Sequence, residues 1–349
     1  MLYSLGELLA KVWGPLGFIA SPVFRAAFGP LLAAALTWLL LPRFWERMPR
    51  DHGKAFVADG TKSVGKPTGT GFIFMIIYAF VCLLVLPLSF TYLGMLGCLI
   101  LAMLSGFLDD GSEKPWHEYK KAALDAGIVL AAALVLCGLK PVEWWFPFTR
   151  LMFYVPVWIF VPVAAALLWF SINATNCTDG VDNLCGSLCS LAFLYLGGLL
   201  AFGVGQEVVA GRLGVPHYAD GADWAVMAFT MVGALAGYLW YNANPSTILM
   251  GDAGSRPLGL LLGALVLAAG NPFLILVVAG VILVNGGAGL FKVALKRFFN
   301  IEFLWTIRFP LHDHMKQNLK WSVPQVLVRF MLIQAVLTPL LLLLFIKAR

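Results

Sequence analysis

The sequence predicts an all-α polytopic membrane protein with about ten transmembrane helices. Of the 349 residues, 60% are hydrophobic and only 12% are charged, whereas soluble domains carry about 25% charged residues. The apolar stretches are continuous and do not alternate residue by residue, which excludes a closed β-barrel. Because so little polar material remains for a soluble domain, residues 1–349 are expected to form one integral-membrane domain.

Each predicted span follows from an apolar stretch of roughly the 20 residues that a helix needs to cross a bilayer. The spans cover approximately residues 23–42, 70–89, 92–108, 121–139, 153–172, 184–204, 223–241, 257–270, 272–295 and 324–346. A tight turn is expected at Asn271, because Pro272 pushes the preceding residue out of helical geometry. The glycine-rich stretch 285–289 predicts a bend in the ninth span. Residues 1–20 lack a basic start and carry Glu7, which indicates an interfacial helix rather than a cleaved signal.

Alternating the connections across the membrane places the most polar loops on one side. These loops are residues 43–69, 109–120, 173–183, 242–256 and 296–323. Most of the 24 Lys and Arg residues fall on this side, so the positive-inside rule makes it cytoplasmic. The net charge of +6 is therefore assigned to topology and not to nucleic-acid binding. The loops predict one site on the cytoplasmic face, although cytoplasmic loops that are merely polar would also cluster there.

Two loops carry carboxylates that suit a metal–phosphate site. Asp252 follows Gly251 and precedes Gly254, and glycines let backbone approach a phosphate while a carboxylate suits Mg²⁺. Alone, this loop could equally be a helix cap. Asp109 and Asp110 are adjacent at a span end, where a carboxylate pair is costly unless paired or metal-bound. Lysines 114, 120 and 121 follow closely, although such charges also occur at ordinary helix ends.

Three further loops carry groups that suit anions and sugars. The Gly- and Thr-rich stretch 59–71 precedes a span, and a helix N-terminus favours a bound anion; a flexible turn is the alternative. The segment 173–183 carries amides and acids at three-residue spacing, which suits sugar hydroxyls or a nucleobase edge, with interhelical packing as the alternative. His312 and His314 flank Asp313, but a third zinc ligand is missing, so phosphate contact is favoured. The six cysteines form no CxxC pair, which leaves no zinc or disulfide framework.

Five segments, in order along nearly the whole chain, resemble motifs of the phospho-N-acetylmuramoyl-pentapeptide transferase family. This family lies within the polyprenyl-phosphate N-acetylhexosamine-1-phosphate transferase superfamily. Residues 66–71 resemble G-T-P-T-M-G-G, and residues 106–110 resemble G-F-x-D-D. Residues 173–184 resemble N-x-x-N-x-x-D-G-x-D-G-L, residues 249–255 resemble F-M-G-D-x-G-S, and residues 310–314 resemble P-I-H-H-H.

The resemblance implies transfer of phospho-MurNAc-pentapeptide from UDP-MurNAc-pentapeptide to undecaprenyl phosphate, giving lipid I and UMP for peptidoglycan. It implies a bacterial inner-membrane location with a cytoplasmic site, and Mg²⁺ held by Asp252 and Asp109. Asp109, Asp110 and Asp252 are the implied catalytic residues. The implied substrate-binding residues are Thr68, Lys114, Lys121, Asn173, Asn176, Asp179, Asp182, Asn242, Leu249, His312 and His314. Membrane lipids surround the chain, and the oligomeric state is left open, a homodimer included.

The chain departs from the family pattern at several positions. Asn183 replaces the second glycine of D-G-x-D-G, and Leu249 replaces a phenylalanine that packs on uracil. Asp313 replaces the middle histidine, and Lys114 lies one position later than the family's lysine. Ser63 stands where a lysine is usual, and Lys62 or Lys66 are its candidate substitutes.

Two mechanisms and three other functions remain open on this basis. Either Asp109 deprotonates the acceptor phosphate, or an aspartate attacks first and forms an aspartyl-phosphate. Direct attack is favoured, because a phosphate monoester has a second pKa near 6 and needs little base help. A sister transferase would use UDP-GlcNAc. A transporter would place ionisable groups near the bilayer midplane, and an inactive scaffold would have lost the acids, so both are disfavoured.

Overall fold

The computed structural model describes residues 1–51, 53, 63–114, 116–149 and 151–347. Its helices are α1 Leu2–Val12, α2 Pro22–Phe44, α3 Gly71–Val85, α4 Phe90–Asp110, α5 Glu118–Cys137, α6 Val157–Thr178, α7 Leu184–Gly198, α8 Glu207–Leu213, α9 Gly221–Asn242, α10 Asp252–Ala268, α11 Leu274–Val278, α12 Gly280–Ile282, α13 Ala288–Phe299, α14 Leu311–Gln317 and α15 Val323–Lys347. Short 3₁₀ segments cover Gly14–Ala20 and Trp45–Arg47, and π-helical segments cover Leu199–Val204 and Leu283–Gly287. The predicted helical class is confirmed.

One small sheet departs from the all-α prediction. Strands β1 (Val142–Trp145) and β2 (Met152–Val155) pair antiparallel between α5 and α6, and β2 takes up the first residues of the predicted fifth span at 153–172. Trp145 is fully buried and donates its indole N–H to the Ala269 carbonyl at 2.8 Å. The sheet therefore anchors the end of α10 that lies opposite Asp252.

Helices long and apolar enough to cross a membrane number six in the described part of the chain, which makes this a multi-pass membrane protein by length and composition. They are Pro22–Arg47, Phe90–Asp110, Val157–Thr178, Leu184–Val204, Gly221–Asn242 and Val323–Ile346. Helix α3 is apolar but shorter. Three other predicted spans are too short, too charged or too interrupted to be counted by length and composition, namely α5, α10 and the predicted ninth span. The count of ten is therefore not confirmed. The first two turns of α5 are charged, and α10 has only 17 residues.

The predicted ninth span is interrupted, as its glycines indicated. It consists of α11, α12, the π-helical segment and α13. Gln334 of α15 sits at the first break, where its amide donates to the Val278 carbonyl at 2.7 Å and accepts from the Val281 N–H at 2.9 Å. A side chain from α15 thus satisfies backbone groups that the break leaves unpaired, which matters because lipid offers them no partner.

Helix α10 occupies the centre of the helix bundle. Every residue from Ala253 to Leu267 is buried, and α10 packs on α6, α4, α3, α7 and α5. A central helix needs no lipid-facing side chains, which explains why its apolar stretch is the shortest of the predicted spans. Its first residue, Asp252, is held where the ends of α4 and α6 and the start of α5 meet.

Candidate active site

The start of α10 is fixed by a carboxylate from another helix. Both carboxylate oxygens of Asp110, at the end of α4, accept backbone N–H groups, from Asp252 and from Ala253, each at 3.0 Å. These are among the N–H groups that a helix leaves unpaired at its first turn. A negative charge at this terminus is also favoured by the helix dipole. Asp110 therefore caps α10 and places Asp252.

Glycines in the motifs permit this close contact. A methyl group built on Gly106 of α4 would lie 2.3 Å from the Asp252 carbonyl oxygen, closer than real side chains come. Gly251 has φ +67°, a conformation that L side chains rarely adopt, and it directly precedes α10. The first glycine sets the approach of α4, and the second sets the turn into α10.

Asp109 and Asp252 share one cation. The Lys121 ammonium, from the first turn of α5, forms an ion pair with Asp109 and lies 3.4 Å from Asp252 Oδ2. The other oxygen of Asp109 accepts the Trp116 backbone N–H at 2.8 Å. Asp109 is 9% exposed, so its charge depends on these partners rather than on bulk water. Helices α4 and α10 thus bring Asp109 and Asp252 to one position, and α5 supplies the lysine between them. These two residues, with Asp110 beside them, are called the carboxylate cluster below.

The amide of Asn176 joins α6 to this cluster. It donates to Asp252 Oδ1 and to Ser255 Oγ, both at 2.9 Å. Asn173, one turn earlier, is half-buried and donates to the Trp169 carbonyl of its own helix at 2.8 Å. Asp179 is half-buried at the C-cap of α6. The predicted shared face of α6 therefore brings Asn176 to the carboxylates, while Asn173 lines the cavity beside them.

Asp182 organises the loop before α10 instead of pointing at the carboxylate cluster. Its carboxylate accepts from the Asn244 amide at 2.8 Å and from the Ser246 hydroxyl and backbone N–H at 2.8 and 3.1 Å. Ser246 also accepts from the Lys66 ammonium at 3.1 Å. The first, third and fourth polar loops are therefore tied together at this point.

The departure at Asn183 has a conformational explanation. Asn183 has φ +65°, the left-handed conformation that glycine adopts freely and asparagine tolerates. Its backbone N–H donates to the Asn242 side chain at 2.8 Å, and the Asn242 amide donates to the Ile248 carbonyl at 2.7 Å. Asn242 is 4% exposed, so in this structure it connects α7 to the loop and does not face solvent.

Thr68 and Leu249 lie in a short backbone ladder between two loops. The Leu249 N–H donates to the Pro67 carbonyl at 2.8 Å, and the Thr70 hydroxyl donates to the Leu249 carbonyl at 2.8 Å. The Thr68 N–H donates to the Pro49 carbonyl at 2.8 Å. The half-buried Leu249 side chain stands where the family has an aromatic ring. Lys62 lies outside the described residues.

His312 is buried and neutral. It is 2% exposed, its backbone N–H donates to Asn285 Oδ1 at 2.8 Å, and its ring packs on Gly180. Burial, and then the charge of Lys316, lower the pKa of His312 to about 3. His314 is half-buried, and its Nδ1 accepts the Arg308 N–H at 3.2 Å. His312 thus links the π-helical segment to the turn after α6, and the structure does not bring it to the carboxylate cluster.

The structure does not bring Lys114 to the carboxylate cluster. Lys114 is exposed in the connection between α4 and α5, whereas Lys121 is at the cluster.

Within the residues that the structure describes, no group of three or more His, Cys, Asp or Glu side chains is arranged to hold a metal. The donors do fit Mg²⁺, because Asp109 and Asp252 already converge on one cationic group. Mg²⁺ is usually bound by one or two carboxylates together with substrate phosphates.

Sequence reasoning missed one ion pair beside the cluster. Arg256 of α10 and Asp125 of α5 are 2% and 3% exposed and form a salt bridge. Both could have been found, since an ionisable residue inside an apolar span is uncommon and marks a functional-site candidate. Asp125 lies within the predicted fourth span, and Arg256 directly precedes the eighth.

A family model described as glycosyl transferase family 4 matches residues 92–270, which include α4 to α10 and therefore the carboxylate cluster. The family's members are thus similar to this chain in the part where the cluster is built.

Relatives over the full chain carry one common name. The phospho-N-acetylmuramoyl-pentapeptide-transferase of Treponema pallidum (strain Nichols) is 44% identical over 340 residues, covering 97% of this chain and 94% of the relative. Those of Gemmatimonas aurantiaca and Aquifex aeolicus are 31% and 26% identical, covering 95% and 97% of this chain and 96% and 97% of the relatives. The chain belongs to the phospho-N-acetylmuramoyl-pentapeptide transferases of glycosyl transferase family 4, which confirms the resemblance found in the motifs.

Proposed function

We propose that this chain transfers phospho-MurNAc-pentapeptide from UDP-MurNAc-pentapeptide to undecaprenyl phosphate, giving lipid I and UMP. Its relatives are named for this transfer, and the similarity extends over nearly the full length of both chains. The observation that carries the proposal is the meeting of Asp109, Lys121 and Asp252 at one point, brought there by α4, α5 and α10. Phosphoryl transfer mainly requires positioning and charge neutralisation, which such a cluster provides.

The reaction proceeds by direct attack of the lipid phosphate. One of its oxygens forms a bond to the sugar-linked phosphorus of the donor, and the bond from that phosphorus to the UMP oxygen breaks, with its electron pair leaving on UMP. The acceptor is largely dianionic at neutral pH and needs little base help. Both oxygens of Asp109 already accept hydrogen bonds, from Trp116 and Lys121. Because both oxygens have partners, neither is left to attack phosphorus, which disfavours an aspartyl-phosphate.

Each acidic residue has a separate task in this proposal. Asp252 and Asp109 hold Mg²⁺, which supplies charge neutralisation on the donor diphosphate when bound. Asp110 acts indirectly, because its two oxygens are occupied in capping α10. Lys121 keeps the two carboxylates together and releases them to the substrate complex. Asn176 fixes the rotamer of Asp252 through its amide.

The nucleotide is held on the side of the cluster where the polar loops meet. Asn176, Asp179 and Thr68 face or border this region, and Asp182 shapes it by holding the loop through Asn244 and Ser246. Amides, hydroxyls and carboxylates are suited to ribose hydroxyls and a nucleobase edge. Leu249 offers an apolar surface to the base in place of an aromatic ring.

The polyprenyl tail lies in an apolar cavity of about 270 Å³ beside the interrupted ninth segment. Side chains from α11, the π-helical segment and α15 line it, among them Leu276, Val284 and Phe330. Almost all of its lining is apolar, as a hydrocarbon chain requires. The cavity holds a part of the tail, and the remainder extends into lipid.

The proposed topology has ten crossings with the site on the cytoplasmic face of a bacterial inner membrane. Six crossings are the longer spans given above. The other four are α3, α5, α10 and the segment from α11 to α13. Most Lys and Arg residues lie on the loops that build the site, which supports this orientation. The variants Lys114→Cys and Glu143→Cys test this topology in sealed vesicles. A membrane-impermeant thiol reagent should label the first from the cytoplasmic side and the second from the other side.

Purified protein with Mg²⁺, undecaprenyl phosphate and one labelled UDP-sugar at a time tests the reaction. UMP release with UDP-MurNAc-pentapeptide and not with UDP-GlcNAc is expected. Release with UDP-GlcNAc alone would assign the chain to the sister transferases. Incubation with the donor in the absence of lipid should leave the enzyme unphosphorylated, and a trapped phosphoenzyme would refute direct attack.

A further inference from the structure

Beside the carboxylate cluster lies a small cavity of about 30 Å³ that is lined by charged side chains. Lys121, Asp125, Asp252 and Arg256 are the charged residues of its lining. Asp252 and Arg256 are four residues apart on α10 and so lie on one face of that helix. The guanidinium is therefore rooted about 6 Å further along the helix, away from the loops.

One nitrogen of Arg256 lacks a hydrogen-bond partner in the described part of the protein. Nη2 forms the salt bridge to Asp125, while Nη1 is buried and donates to no acceptor among the described residues. Buried donors are nearly always satisfied, and an unsatisfied one next to a cavity points to a ligand. Arginine presents its donors in a planar fork that matches phosphate oxygens. Asp125 orients that fork through Nη2, and Nη1 is left without a protein partner in the part of the chain that the structure describes.

The other cation of the cavity is already engaged. Lys121 is shared by Asp109 and Asp252. A phosphate at this cavity would face the carboxylates of Asp125 and Asp252, so a cation with an unused donor is needed to balance their repulsion. Arg256 supplies that cation.

We propose that Arg256, oriented by Asp125, binds the phosphate of the polyprenyl phosphate acceptor. The assignment to the acceptor follows from depth, because the cavity extends from Asp252 along α10 into the apolar bundle, whereas the loop groups around Asp182 lie before α10. A lipid phosphate reaches the cluster from the membrane, and the donor reaches it from the loops. The inference rests on the proposed transferase activity.

The decisive variant is Asp125→Asn/Arg256→Gln, which removes both charges together and keeps polar side chains at both positions. Removing one partner alone would leave an uncompensated buried charge and could prevent folding. We expect the KM for undecaprenyl phosphate to rise at least about tenfold, the scale of one lost charge-assisted hydrogen bond. The KM for the UDP-linked donor should stay within about twofold. Arg256→Lys should restore only part of the acceptor affinity, because lysine lacks the fork.

A second Arg–Asp pair, with a buried arginine and a half-buried aspartate, serves as the control. Arg25 and Asp223 are joined at 2.7 Å at the opposite end of α9, which starts near Asp223 and ends at Asn242. Arg25→Gln/Asp223→Asn removes an equivalent pair about 28 Å along that helix from the site. We expect lower thermal stability and an unchanged acceptor KM from this control.

Binding to lipid nanodiscs separates the possible failures. The wild-type protein should bind undecaprenyl phosphate more tightly than undecaprenol, and the double variant should lose that difference. Unchanged acceptor KM and retained phosphate discrimination in the variant would overturn the inference, as would a parallel rise in both KM values or a rise in donor KM alone. Absence of UMP release by the wild-type protein with any UDP-sugar would instead overturn the proposed function.

Discussion

Gly106→Ala tests whether the contact between α4 and α10 sets the catalytic geometry. The added methyl group would lie 2.3 Å from the Asp252 carbonyl oxygen, and ordinary contact begins near 3.4 Å. The two helices must therefore separate by about 1 Å. Overpacking of this kind typically costs about 1–3 kcal/mol of folding free energy. Because Asp109 and Asp110 follow Gly106 on the same helix, the displacement moves both relative to Asp252, and about 1 Å of misplacement can cost roughly 100-fold in rate.

The assay is UMP release with saturating substrates, together with thermal unfolding in detergent. Gly97→Ala is the matched control, since Gly97 lies on the same helix and a methyl group there meets nothing within 4 Å. That variant should keep wild-type activity and be equally or more stable, as alanine favours helix. Wild-type activity in Gly106→Ala would refute the reasoning that this helix contact positions the carboxylates.

Three further predictions follow from single side chains. Lys121→Met should lower the rate of UMP release at least about 100-fold. The control is Lys120→Met, because the Lys120 ammonium lies over the Trp116 ring, and its rate should stay within a few-fold of wild type. Equal losses would contradict the role of the shared cation. Asn183→Gly should leave the melting temperature unchanged, and Asn183→Val should lower it by several degrees, because φ is +65°; equal melting temperatures would contradict this. Burial lowers the pKa of His312 to about 3 in the folded protein, whereas an unfolded histidine has a pKa near 6.5. Between these values the unfolded chain binds more protons than the folded one. The free energy of unfolding should therefore fall by about 1.4 kcal/mol per pH unit as the pH drops through this window. Melting at pH 7, 6 and 5 checks it, and His312→Asn should flatten the dependence.

The helical class and the loop cluster could be predicted from sequence, because each depends on local signals. Apolar stretches report helices, and the Gly-Asp and Asp-Asp patterns report polar ends of those helices. The structure places Asp109, Asp110 and Asp252 within one hydrogen-bonded cluster. Their chemical roles remain predictions.

Other parts depend on contacts between distant residues and could not be predicted. Nothing near Asp110 in the chain indicates that its carboxylate caps α10, which starts 142 residues later. The burial of His312 depends on its contact with Asn285 of the π-helical segment. The glycines at 285–289 predicted a bend in the ninth span, but not the break between α11 and α12, where Gln334 of α15 contacts the backbone. Length and composition do not confirm α5 and α10 as spans, because α5 is charged at its start and the central α10 is short.

Binding of Mn²⁺, a paramagnetic substitute for Mg²⁺, tests the central claim most directly. Electron paramagnetic resonance titration of the purified protein in the presence of the UDP-linked donor reports binding without requiring turnover. Specific binding should occur in the wild-type protein and be lost in Asp252→Asn and weakened in Asp109→Asn, while Arg25→Gln/Asp223→Asn retains it. Unchanged Mn²⁺ affinity in Asp252→Asn would contradict the assignment of the carboxylates as the cation site.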